Sequence, residues 1–246
     1  YVTGLSHELR TPLNSILCFT QILQRDAAMP EQHQDALATI LRSGSHLLSL
    51  IDGLLDVAKI EAGKLRLEPT EIPFPELIHD LELMFTPQAR DKGLRFRLEL
   101  IGKIPAVVRG DEKRVRQILI NLLGNAVNFT DSGEVCLRVS YMRETATFDI
   151  IDTGIGIDPE HIKRIFQPFE RGDLMRQDKG VGLGLTITRM LTSLMGGELQ
   201  VKSQQDKGTC FQVRLFLSQV RVPQAVIHVE HDIIGYQGPR RLVLVV

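Results

Sequence analysis

The sequence has no tryptophan, three tyrosines and three cysteines in 246 residues, and aromatic side chains make up only 5% of it. Cys18, Cys136 and Cys210 are far apart, odd in number and without ligand-like spacing. That excludes a disulfide scaffold or a cysteine metal site and predicts buried thiols in a reducing compartment. An excess of one charge is missing too. Lys and Arg total 29 against 30 Asp and Glu, so no global positive field marks nucleic acid or anionic lipid as the main partner. No run of about eighteen apolar residues occurs, and the first residues show neither a basic leader region nor a cleavage site. The expectation is a cytoplasmic chain without direct membrane contact, its parent soluble or anchored through a missing N-terminal part. What is present is ordinary: 43% hydrophobic and 24% charged residues, in a chain long enough for two compact domains.

The first pattern is helical. Leu5, Leu9, Leu13, Ile16, Leu17 and Leu23 recur at helical intervals and predict a helix over residues 5–25. After the break at "DAAMPEQ", Leu37, Gly44, Ile51 and Ala58 repeat every seven residues, with Ile40, Leu47 and Leu54 between them and Leu41, Leu48 and Leu55 widening the stripe. Two antiparallel helices cannot bury so broad a face, so the spacing predicts two hairpins pairing as a four-helix bundle, hence a homodimer.

Beyond "KIEAGKLRLEP" the period changes. The runs "LRFRLEL", "EVCLRVSYMR", "TATFDIID", "GELQVKS" and "TCFQVRLFL" read as strands. Helices are expected over 75–91, over 112–129 with Asp111 as N-cap, briefly after Pro159, and over 182–195 with "GG" as the stop. The fold class expected is α+β, a helical hairpin followed by an α/β sandwich. From Ser218 onward the chain reads as a linker or an extra strand, and "RRLVLVV" as an apolar strand with no visible partner.

Chemistry enters at "GLSHELRTPLN", residues 4–14. His7, Arg10, Thr11 and Asn14 share one helix face, away from Leu5, Leu9 and Leu13. The His7 imidazole is therefore expected to reach solvent, with Glu8 holding the proton of one ring nitrogen and leaving the other free to attack. Pro12 has no N–H to offer the Glu8 carbonyl, so a bend beside His7 is expected. A lone surface histidine is more often simply solvated, and the residues alone leave both readings open.

A nucleophile needs an electrophile. "DTGIGI" follows a strand and "KGVGLGL" runs into a helix whose N-terminal N–H groups favour anions. Together they outline a nucleotide pocket. Asp152 can accept from an exocyclic amine such as that of adenine, while Gly154 and Gly156 let the backbone come close. Asn121, Asn125 and Asn128 line one face of a helix, and the Asn125 carbonyl suits Mg2+.

These segments resemble the boxes of the sensor histidine kinases of two-component systems. "SHELRTPLN" resembles the phosphoacceptor box, "NLLGNAVNFT" the asparagine box, "DTGIGI" the first glycine box, "FQPFER" the phenylalanine box and "GVGLGLTI" the second glycine box. All five stand in the family's order across residues 1 to about 217. The resemblance implies a dimerisation and phosphotransfer hairpin over 1–66. It also implies an ATP-binding domain of the gyrase, Hsp90 and histidine kinase type over 67–219, with ATP and Mg2+ as cofactors. Under it His7 is the phosphorylated nucleophile, Glu8 the assisting base, and Thr11 the residue that positions a water for dephosphorylating the partner. Asn121 and Asn125 face the phosphates, Asn125 on Mg2+, and Asp152 takes the adenine amine. Gly154, Gly156, Gly180, Gly182 and Gly184 shape the pocket and lid, together with Ile157, Val181 and Leu183 of the same boxes. Phe166 and Phe169 resemble a hydrophobic latch, although either can be plain core. Arg171 resembles a γ-phosphate contact and Thr209 a water-mediated adenine contact.

One position departs from the family pattern. Asn128 stands where a lysine is usual, and Lys179 is the expected partial replacement, since a flexible ammonium can serve as a point charge from either side of a pocket. Residues 220–246 end in "PRRLVLVV", which resembles the opening strand of a receiver domain and implies a hybrid kinase. Its partner is then a response-regulator receiver in cis or in trans. Two other readings stay open: an ATP-binding scaffold that transfers no phosphate, which the Asn128 departure favours, and a gyrase-like or Hsp90-like mechanical ATPase, which His7 on the hairpin's outer face disfavours.

Overall fold

The computed structural model describes residues 2–24, 30–168 and 183–220, apart from the side chains of residues 2–10, 31, 32, 42, 45, 46, 49 and 50. Helix α1, Val2–Gln24, contains Pro12 without interruption. Helix α2, Glu31–Glu61, follows and packs along it. Gly44 of α2 makes close approach possible, because a Cβ there would stand 2.6 Å from Leu17 Cδ2. Leu13, Leu17, Leu37 and Leu55 close the seam. The α2 helix ends at Ala62 and Gly63, where φ is +62° and the Gly63 N–H reaches the Ile60 carbonyl.

The second region opens with β1, Thr70–Pro73, and α3, Phe74–Asp91. It continues through β2, Arg95–Ile101, and β3, Val107–Gly110, to α4, Glu112–Phe129. Then come β4, Glu134–Met142, and β5, Thr145–Asp152, a 3-10 turn at Arg164–Phe166, and α5, Gly184–Leu194. The described chain closes with β6, Glu198–Gln204, β7, Gly208–Phe216, and β8, Ser218–Gln219. Five strands form one sheet in the order β2-β4-β5-β7-β6, with β2 and β4 parallel and the other neighbours antiparallel. These are the five strands expected from sequence.

Strand alternation decides which face is core. In β5, Ala146, Phe148, Ile150 and Asp152 are buried and the residues between them only half so. Val135, Leu137 and Val139 of β4 join them, as do Phe211, Val213 and Leu215 of β7. Against this face pack the apolar sides of α3 and α4, led by Leu77, Leu81, Phe85, Ile118, Leu119 and Leu122. Phe74 stands edge-on to Phe148 at 5.9 Å and to Tyr141 at 6.2 Å.

Sequence reading missed β1 and β3 and the second sheet they form, β1-β3-β8, all antiparallel, in which β8 is the extra strand expected from Ser218 onward. Its strands are only four, four and two residues long, too short to show an alternation. They anchor the linker instead: the Glu68 N–H donates to Asp111 Oδ2 while Asp111 Oδ1 accepts from the Arg114 N–H as the expected N-cap of α4. One correction concerns the thiols. Cys136 is buried and Cys210 half-buried, but Cys18 is exposed, because it falls outside the α1 face that meets α2.

Candidate functional site

The site gathers at the ends of β5 and β7 and along α4. Asp152 is the last residue of β5 and is paired in register with Thr209 of β7. Its Oδ1 accepts from the Gly154 N–H at 2.9 Å and from the Thr209 N–H at 3.2 Å. Both bonds fall on one oxygen, which leaves Oδ2 as the carboxylate's remaining acceptor. Burial pushes this carboxyl above its ordinary range, and the two backbone donors pull it partly back.

The glycines of this loop are sterically required. A side chain at Gly154 would run into the Phe129 carbonyl oxygen, and one at Gly156, where φ is +68°, into the Gln204 carbonyl oxygen. The loop is also tied to the far strands. Ser203 Oγ accepts from the Ile157 N–H at 2.8 Å, lies 2.8 Å from Thr209 Oγ1 and bonds the Gly208 carbonyl at 3.0 Å. Ser203 had no sequence signal, being one polar residue in a polar run, yet it joins Ile157 to Thr209.

Along α4, Val115, Ile118, Leu119, Leu122, Leu123, Ala126 and Val127 face the core. Asn121 and Asn125 are half-buried beside that stripe and Asn128 is exposed. Asn121 Nδ2 donates to the Gly184 carbonyl at 3.3 Å, which brings the asparagine helix to the start of α5. Leu183 is buried, and Phe166 is part of the core. The Arg189 guanidinium lies 5.3 Å over the Phe166 ring, and Thr186 Oγ1 donates to the Phe166 carbonyl at 3.0 Å. Asp152, Gly154, Thr209 and Ile157 are therefore joined through Ser203 and the loop, Gly156 packs on Gln204, and Asn121 and Gly184 form a separate pair. Phe169, Arg171, Lys179, Gly180, Val181 and Gly182 lie outside the described residues, as does the strand expected at the end of the chain.

His7 and Glu8 have their backbones in α1, and their side chains are outside the described set. Thr11 is exposed on the same helix, one turn before Ser15, whose Oγ donates to the Thr11 carbonyl at 3.1 Å. The two regions meet where α2 crosses α4 and α5. Asp56 Oδ2 accepts from Arg114 Nη1 at 3.2 Å and from Gln117 Nε2 at 2.9 Å. A Cβ on Gly53 would stand 3.1 Å from Ile187 Cδ1 and 3.4 Å from Leu183 Cδ1.

A helical hairpin joined to an α/β sandwich with a buried aspartate, a glycine loop and a half-buried amide face is the arrangement expected of a histidine kinase core. Family comparison agrees. Residues 1–63 match the His Kinase A (phospho-acceptor) domain, and residues 110–219 match the histidine kinase-, DNA gyrase B-, and HSP90-like ATPase. The chain belongs to the histidine kinases. It is 37% identical over 243 residues to the sensory/regulatory protein RpfC of Xanthomonas campestris pv. campestris, covering 92% of this chain and 33% of that protein. It is 38% identical to the signal transduction histidine-protein kinase BarA of Escherichia coli over 86% of this chain and 24% of the relative. The crystal structure of full-length ShkA superimposes with a TM-score of 0.75 at 33% identity, over 90% of this chain and 46% of that one. This chain thus spans about a third or less of these two relatives' length.

Proposed function

We propose that this chain uses ATP to phosphorylate His7 and passes the phosphoryl group to an aspartate of a response-regulator receiver domain, in cis or in trans. The observation that carries the reading is the buried Asp152 carboxylate, one oxygen fixed by the loop and the other still an acceptor, in a chain that also holds His7 on a phospho-acceptor helix. That carboxylate fits an adenine amine, and Gly154 and Gly156 let the loop pack on the Phe129 and Gln204 carbonyls that hold it beside Asp152. The similar ShkA chain was solved in complex with AMPPNP. Mg2+ would neutralise phosphate charge, and the Asn125 carbonyl is the oxygen ligand this chain offers it.

A ring nitrogen of His7 forms a bond to the γ-phosphorus as the bond from that phosphorus to the β,γ-bridging oxygen breaks. ADP leaves with the electron pair, and Glu8 takes the remaining ring proton. Thr11, one turn on, suits the positioning of a water in the reverse sense, dephosphorylation of the partner. Residues 1–66 would serve as dimerisation and transfer hairpin and 67–219 as the ATP-binding domain. The apolar side chains still exposed on the hairpin support a homodimer.

The test is incubation of the purified chain with Mg2+ and γ-labelled ATP beside His7→Gln. Acid-labile, alkali-stable label that disappears in the variant is expected. ATP binding without label in the wild-type chain would overturn the transfer reading in favour of a scaffold.

A further inference from the structure

We propose that Lys92 is a positioning residue for the nucleotide site, holding the C-terminal end of α4 in the place from which it seats the glycine loop. The proposal rests on the nucleotide reading above. Helix α3 ends in a Schellman turn: the Leu94 N–H reaches the Ala89 carbonyl and the Gly93 N–H the Arg90 carbonyl, with Gly93 at φ +73°. Lys92 is the last residue before that glycine, so its backbone is fixed while its side chain reaches across to α4.

A helix leaves its last carbonyls without intrahelical partners, and they carry the negative end of the dipole. At the end of α4 every one of these carbonyls is taken. Thr130 Oγ1 donates to the Ala126 carbonyl at 2.7 Å. Lys92 Nζ donates to the carbonyls of Val127, Asn128 and Thr130, the last two at 3.1 and 3.0 Å. The Phe129 carbonyl, between them, accepts from the Ile155 N–H at 3.4 Å, and it is the atom against which Gly154 packs. One ammonium, with three donors, thus brackets the carbonyl that supports the loop of Asp152 and Gly154. It also places a positive charge at the negative end of the helix that carries Asn121 and Asn125.

Sequence offered no hint of this, since Lys92 precedes the asparagine box by about thirty residues. The test compares the full chain with Lys92→Met, which keeps the apolar stem, and Lys92→Arg, which keeps the charge, at a temperature where all three are folded. Amide hydrogen exchange and ADP affinity are read together. In Lys92→Met the Ile155 amide should exchange about tenfold faster while Val201 and Val213, in the far strands, stay within about twofold. The ADP dissociation constant should rise roughly fivefold, and Lys92→Arg should recover most of it, in keeping with the strength of charge-assisted bonds. Uniform acceleration, no acceleration, or local acceleration with unchanged ADP affinity would each overturn the positioning role alone. Failure of the wild-type chain to bind ADP would overturn the nucleotide reading and this proposal with it.

Discussion

The two regions differ in what they leave uncovered. In the α/β domain Phe148, Leu137 and Ile118 show no exposure and form a closed core, although Leu83, Met142 and Phe216 among others stay exposed at its surface. On the hairpin, Ile40, Leu47 and Leu54 are 45%, 48% and 45% exposed at seven-residue intervals, and Ile16, Phe19 and Ile22 of α1 are exposed as well. Both patterns are apolar and both are periodic. The difference is that a sheet with helices on one face can bury its stripe internally, whereas two helices bury only the seam between them. One region has a closed core of its own under its exposed apolar residues; the other exposes its apolar residues as a regular stripe, a surface of the kind that a second copy covers.

The largest effect should follow from attacking that surface. Ile40→Glu with Leu47→Glu places two charges in the exposed stripe, and the dimer should weaken by about a hundredfold or more, given the apolar area involved. Sedimentation velocity would read it, with ADP binding as the control for the intact α/β domain. An unchanged mass at equal concentration would show that the stripe is not the dimer seam.

A smaller effect belongs to the region with the closed core. Because burial raises the Asp152 carboxyl above its ordinary value of 3.8, the native chain holds that proton at pH values where the unfolded chain has lost it. The ionised form is therefore a cost to folding, and this contribution to stability falls as pH rises from the ordinary value through the raised one. Nucleotide binding has the opposite slope, since the amine needs an ionised acceptor. ADP affinity measured by calorimetry should fall as pH drops through the raised value, and Asp152→Asn should weaken ADP by roughly tenfold or more and flatten that acid limb. An acid limb that survives in Asp152→Asn would assign it to another group.

Most of the large elements were legible because each has one dominant period. The strand that contains Phe148 alternates cleanly, and the helix from Glu112 to Phe129 announces itself by Asp111 and its apolar stripe. Asp152, Gly154 and Gly156 stood out in sequence as a strand end followed by glycines, and the structure places them there, with no room for side chains at the two glycines. What sequence could not show were contacts made between distant short segments. Ser203, Lys92 and Asp56 are ordinary polar residues on ordinary surfaces until the fold sets them beside a loop, a helix end and a foreign arginine. Phe166 was ambiguous for a different reason: a phenylalanine that latches and one that packs look alike in sequence, and here it is core with Arg189 over its ring.

The smallest effect should lie at the junction of the two regions, where a partly buried ion pair and hydrogen bond hold α2 to α4. Asp56 and Arg114 are 17% and 14% exposed, so solvent screens them less than a surface pair, yet each keeps some contact with water. A double-mutant cycle with Asp56→Ala and Arg114→Ala should return a coupling of about 1 kcal/mol in urea denaturation, well below the effect of losing a dimer seam. The Gly53 contact with Ile187 and Leu183 is apolar and should persist, so raised salt should shrink the cycle without separating the regions. A coupling of zero would mean that the ion pair adds nothing to the hold that the Gln117 bond and the apolar seat provide. The junction would then rest chiefly on the packing of Gly53 against Ile187 and Leu183.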